Sequence, residues 1–213
     1  MTETRVERKE RTRRAILDAA LELCEGQPLA ALSLRQVAKQ VGIVPTAFYR
    51  HFESIDQLGL ALVDESFSSL RSLLKAARTF DSPPANDRAL FLAVVDNSVK
   101  ALVTHVPKAD RHYRFIARER LAGSATVREA VRHQLELIER ELATDIARVP
   151  GAGRWSGDDL LILANLLVNA MLSHAEELAL AGGRADVVRR VESTARRQLH
   201  MVLIGALSWD SSR

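Results

Sequence analysis

The hydrophobic period of this chain constrains its fold more than any other feature. Over residues 126–148 the apolar residues Val127, Val131, Leu135, Ile138, Leu142 and Ile146 recur at steps of three or four. Those steps put all six on one stripe of an α-helix, whereas a strand would divide them between its two faces. Nearly every other segment repeats the same period, and none sustains the apolar–polar alternation of a half-buried strand. The expected fold class is all-α, with about nine helices.

Breakers and caps place those helices. Gly26 and Pro28 close helix 1 (8–25). Ser33-Leu-Arg-Gln36 is a capping box that opens a short helix 2 (34–40), and Gly42 suits the left-handed turn after it. Pro45 starts helix 3 (45–52), where a missing N–H costs little. A second box, Ser54-Ile-Asp-Gln57, opens a long helix 4 that runs to about Phe80, and Asp81–Asn86 is the clearest break. Helix 5 (87–105) ends before Pro107, and helix 6 (109–121) ends before Gly123. Helix 7 (126–148) precedes a loop at Pro150–Gly153. Helices 8 (156–181) and 9 (185–207) are separated by Gly182-Gly183. The chain shows no internal repeat.

A composition of 47% hydrophobic and 27% charged residues fits a globular chain with a sizeable core. The formal net charge of +3 is unevenly placed. Residues 1–52 hold nine Lys/Arg and six Asp/Glu, which accounts for all of it and leaves residues 53–213 neutral. A basic segment on a neutral body fits a polyanion-binding end, and charge alone fits a solvated arm equally well. Cys24 is the only cysteine, so no intramolecular disulfide is possible. Lying among Ala20, Leu21 and Leu23, it reads as a small core residue. The N-terminus is polar, without the apolar stretch of a signal peptide, and the most apolar run, Leu160–Leu172, is short and holds two Asn. A cytoplasmic protein with no membrane association is expected.

Two short helices joined across Gly42 and supported by helix 1 have the layout of a helix-turn-helix. In that unit the second helix enters the major groove and its first residues meet base edges. Here those residues are Pro45, Thr46 and Ala47. Thr46 can exchange a hydrogen bond or touch a thymine methyl with its own methyl. Tyr49, Arg50 and His51 follow with a phenol, a guanidinium and an imidazole within one turn, which suits phosphate clamping. Tyr49 and Phe52 fit equally well as core aromatics, and Phe48 reads as one.

The residues Ser33–Phe52, SLRQVAKQVGIVPTAFYRHF, resemble the DNA-binding signature of the TetR family. The resemblance begins upstream at Arg13–Ala20 and continues through Asp56, Leu58, Leu62 and Val63. It implies a helix-turn-helix DNA-binding domain at 1–52 and a helical ligand-binding and dimerisation domain at 53–213. By the same resemblance Thr46 and Ala47 face bases, Arg35 reaches in from helix 2, and Ser33, Tyr49 and His51 hold phosphates. The family's usual Lys near the start of helix 4 is replaced by Ile55, which removes one expected phosphate contact.

A narrower stretch, from Pro45 to Ser66 together with Phe115–Arg120 and Val127–Val131, is similar to the FabR/DesT-type branch that regulates unsaturated fatty acid synthesis. That resemblance implies long-chain acyl-CoA as effector and fatty acid desaturation genes as targets. Helix 6 puts Arg111, Arg114 and Arg118 on one face, where they can meet CoA phosphates or simply form a solvated basic face pairing with Asp110 and Glu119. Phe115, with Leu166 and Asn169 of helix 8, completes the candidate ligand set. The wider alternative is a TetR-type repressor responding to another hydrophobic small molecule. A homodimer through helices 8 and 9, each apolar on two sides, is expected to place two recognition helices on a palindromic operator in double-stranded DNA. No cofactor or metal is expected. Gly-x-Ser-x-Gly, His-Glu-x-x-His and phosphate-loop patterns are all missing from the sequence, which argues against an enzyme.

Overall fold

The computed structural model describes residues 4–77, 87–149 and 152–211. Among them are nine α-helices and no strand: α1 Arg5–Leu23, α2 Leu34–Val41, α3 Pro45–Phe48, α4 Ile55–Ala77, α5 Asp87–His105, α6 Asp110–Ala122, α7 Ala125–Ala147, α8 Gly157–Leu180 and α9 Ala185–Leu207. The fold class matches the one expected, and the architecture is TetR-like. The expected break at Asp81–Asn86 and the loop residues Pro150 and Gly151 lie outside the described residues.

Local chemistry explains the helix ends. α1 starts three residues before its expected start, because Thr4 and Glu7 form a capping box: the Thr4 hydroxyl accepts from the Glu7 amide, and Glu7 reaches back to the Thr4 amide. Ser33 and Gln36 close the expected box on α2, with the Ser33 amide donating to Gln36 Oε1 at 2.8 Å. At α4 only half of the second box forms. The Gln57 amide donates to Ser54 Oγ at 3.0 Å, but Gln57 Oε1 takes the amide of Glu53 instead of that of Ser54. α3 is shorter than expected. It ends at Phe48, and the amides of His51 and Phe52 turn back onto the Phe48 carbonyl at 2.8 and 3.1 Å.

Gly42 caps α2 with φ +75° and ψ +28°, the left-handed turn that sets α3 off from α2. A Cβ at this position would meet nothing within 4 Å, so the constraint is purely conformational. Gly42→Ala is therefore expected to lower unfolding free energy by about 1–2 kcal/mol in urea titrations, and Gly42→Asn by less.

The chain divides into two compact units, residues 1–68 with 114–132 and residues 69–113 with 133–213. The unit that holds α1–α3 thus reaches past residue 52. Its core is Ile16, Leu17, Ala20, Val37, Phe48, Phe52, Leu58, Leu62 and Phe67, all buried. Cys24 is buried here as expected, and burial pushes its thiol up to about 12. Gly59 allows a close approach, since a Cβ there would lie 2.5 Å from a Leu29 methyl and 2.7 Å from a Val127 methyl. Fully buried Glu119 accepts the Leu29 amide at 2.9 Å, and burial holds its carboxyl above the usual range. Arg118 donates to the carbonyls of Cys24 at 2.5 Å and Glu25 at 3.1 Å, groups that the end of α1 leaves without helical partners.

In the second unit α8 and α9 pack through Leu172, Ala175, Leu178, Val191, Ala195 and Leu199. Within that contact His174 is buried and its ring nitrogen meets Gln198 Oε1 at 2.7 Å, which satisfies both polar groups.

Candidate nucleic-acid interface and effector cavity

The sequence of α3 separates its two faces. Phe48 turns inward and is fully buried; with Phe52, at a ring distance of 5.9 Å, it anchors the helix to the core. Pro45, Thr46 and Arg50 are exposed, Ala47 and His51 are half-buried, and Tyr49 is 56% exposed. Tyr49 is thereby placed outside the core, with its ring edge-on to Phe48. Val44, just before the helix, is also exposed, and so is Arg35 on α2. Thr46 is thus exposed on α3, and Tyr49 and Arg50 are exposed in the turn that follows it, while Phe48 and Phe52 are buried. Ser33 is exposed, but its hydroxyl already serves the α2 cap, accepting from the Gln36 amide at 3.2 Å. Ile55 is half-buried at the start of α4 and supplies no charge there.

Beside this surface lies a cleft of about 460 Å³ lined by Lys9, Arg13, Arg50 and His51, with Phe52, Gln57 and Asp64 on its wall. The Arg13 guanidinium sits over the Phe52 ring at 4.6 Å. Burial, followed by the charges of Lys9 and Arg13, lowers the His51 pKa, so its ring is held toward the neutral form. Among the described residues His51 Nδ1 has no hydrogen-bond partner. Three fixed cations and an imidazole around one cleft suit a backbone phosphate. Lys9 and Arg13 were legible in the sequence only as part of a basic segment, since nothing local in α1 shows that they meet residues 50–52.

The second unit encloses a cavity of about 410 Å³. Its wall is almost wholly hydrocarbon, built from Leu74, Leu102, Leu142, Met171, Leu203 and their neighbours. Among the described residues, Tyr113, Ser98 and Asp145 are the polar side chains on it. The ligand set read from the sequence falls elsewhere. Phe115 is buried, Arg118 holds the α1 carbonyls, and Arg114 lies 3.7 Å from the Glu25 carboxylate. Arg111 is exposed. On α8, Leu166 is 52% exposed, and Asn169 is exposed with its amide given to the Asn165 carbonyl at 2.9 Å. None of the six lines the cavity. Leu167 and Val168, next to Leu166, do line it.

No helix among the described residues is long and apolar enough to cross a membrane. No group of three or more His, Cys, Asp or Glu among them is arranged to hold a metal ion.

Residues 16–62 match the model of the bacterial regulatory proteins, tetR family. A crystal structure of a protein from Pseudomonas aeruginosa PAO1, classed as a transcriptional regulator, is similar at 14% identity and a TM-score of 0.69, over 93% of this chain and 91% of that one. A transcriptional regulator from Rhodococcus sp. Rha1 is similar at 26% identity and a TM-score of 0.59, over 92% and 96%. The multidrug binding protein EbrR, complexed with imidazole, is similar at 18% identity and a TM-score of 0.60, over 89% and 93%.

Proposed function

We propose that this chain, which carries the tetR-family DNA-binding region on a TetR-like fold, is a DNA-binding transcriptional repressor controlled by a hydrophobic small molecule. The observation that carries the reading is the exposed face of α3, with Thr46, Tyr49 and Arg50 beside the cationic cleft, in a chain whose other unit encloses a hydrocarbon-walled cavity. Thr46 and Ala47 meet base edges; Tyr49, Arg50 and His51, with Lys9 and Arg13, hold the backbone. The protein acts as a homodimer. α8 exposes Leu161, Ile162, Leu166 and Leu180, and α9 exposes Met201 and Ile204, apolar side chains that a second copy covers. Effector binding lowers operator affinity by favouring one conformation of the dimer over the other.

Long-chain acyl-CoA, with control of fatty acid desaturation genes, is one form of this effector, and the hydrocarbon wall suits its acyl chain. The arginines read as its phosphate anchors count against it, because Arg114 and Arg118 are engaged with Glu25 and with the end of α1. The cavity favours the wider reading, an apolar molecule without a nucleotide headgroup. The protein that resembles this chain under the name EbrR is a multidrug binding protein, which supports the same choice.

An operator duplex selected from genomic fragments tests the DNA half of the proposal. Arg50→Gln is expected to weaken binding about tenfold on every sequence and to flatten the log affinity against log salt slope by about 0.9, the loss of one phosphate contact. Tyr49→Phe is expected to weaken binding about threefold to tenfold and leave the slope alone, because a neutral donor releases no counterion. Unchanged affinity in both variants removes the phosphate roles.

A further inference from the structure

The cleft beside α3 holds one group whose charge is not fixed at neutral pH. Lys9 and Arg13 of α1, Arg50 of the turn after α3 and Asp64 of α4 line it together with His51. Three lining cations against one lining carboxylate attract an anion whatever the state of the imidazole. Partial burial, then the charges of Lys9 and Arg13, hold the ring toward its neutral form; Glu10 works against them and Arg50 with them. His51 Nδ1 has no hydrogen-bond partner among the described residues, so no carboxylate fixes a proton there.

An anion in the cleft changes that balance. A phosphodiester charge offsets the field of Lys9, Arg13 and Arg50, which repels a proton, and adds an attraction of its own. Coupling between two ligands of one protein is reciprocal. If the phosphate favours the proton, the proton favours the phosphate by the same factor.

Resting on the DNA reading above, we propose that the cleft takes a DNA backbone phosphate and a proton together, with His51 as the site of the proton, so that operator affinity rises as the pH falls. In the free protein the ring charges only below the ordinary histidine range. In the complex it charges at a higher pH. Between those two points binding takes up a proton, and above them affinity is independent of pH.

Anisotropy titrations of the full chain on an operator duplex, from about pH 7.5 to about pH 6, span the ordinary histidine value and test this. Wild-type affinity is expected to rise about threefold to tenfold across that range. Calorimetry in two buffers of different ionisation enthalpy is expected to register uptake of about half a proton or more per subunit near the acid end. His51→Gln, neutral at every pH, is expected to hold the rise below about twofold and to abolish the uptake. Lys9 is exposed, so Lys9→Gln should keep the fold. It is expected to bind more weakly yet begin its rise at a higher pH, because a charge that repels the proton is gone, a shift that a plain phosphate contact would not produce. A flat wild-type profile, or a rise and uptake that His51→Gln retains, overturns the inference and leaves the DNA reading standing. Absence of operator binding at every pH removes both. Should His51→Gln fail to fold, an unmoved profile in Lys9→Gln overturns the inference by itself.

Discussion

Thr46→Glu is expected to reduce operator affinity a hundredfold or more while leaving the fold intact. Thr46 is exposed in the first turn of α3, so the longer side chain meets no core residue. An acidic group at a helix N-terminus is electrostatically welcome, and the thermal transition is expected to move by no more than a few degrees. On DNA the same change removes a base-edge contact, roughly 1–3 kcal/mol by itself. It also points a carboxylate at a polyanion. A hundredfold loss is about 2.7 kcal/mol, which the two effects together exceed. Fluorescence anisotropy on the operator duplex and on an unrelated duplex reads the outcome. If Thr46 has the proposed base-edge role, the loss should be larger on the operator, whereas the loss from Arg50→Gln should be equal on both. Retained operator affinity in the Glu variant would place the recognition surface somewhere other than α3.

The helix-turn-helix was legible because its signals are local. Gly42 in the left-handed region, the Ser33–Gln36 box and Pro45 at the first turn of α3 each act within four residues, and each stands where its residue type requires. The half-formed box at Ser54 shows how narrow that legibility is. The pattern was right, but the Gln57 side chain found the amide of Glu53, one residue away from the expected partner. The arginines of α6 show where local reasoning stops. Steps of three and four correctly put Arg111, Arg114 and Arg118 on related faces, yet Arg118 meets carbonyls more than ninety residues earlier in the chain. No spacing rule within α6 encodes that partner. Tyr113, two positions from Phe115, carried no sequence signal either. An aromatic on a helical stripe usually packs in the core, and only tertiary packing puts this one at a cavity wall.

The apolar face of α8 and α9 leads to the second large effect. Leu166 is 52% exposed and Ile204 55% exposed in the single chain, so aspartate at both positions should leave the subunit folded. A two-fold interface presents each position twice, so the double variant Leu166→Asp, Ile204→Asp brings four carboxylates into it. Each would be buried without a partner at a cost of at least about 1–3 kcal/mol, which together raises the dimer dissociation constant by a thousandfold or more. Light scattering on an eluting size-exclusion peak at micromolar concentration should therefore change from a dimeric to a monomeric mass, with the helical circular dichroism retained. Operator binding should fall with it, because one recognition helix reads one half-site and the dimer joins two. The half-site affinity of the monomer should keep its dependence on Thr46 and Arg50, since those residues belong to the other compact unit. A dimeric mass in the double variant would assign the exposed leucines and isoleucines of α8 and α9 to some other partner, while the phosphate and base roles on α3 would stand unchanged.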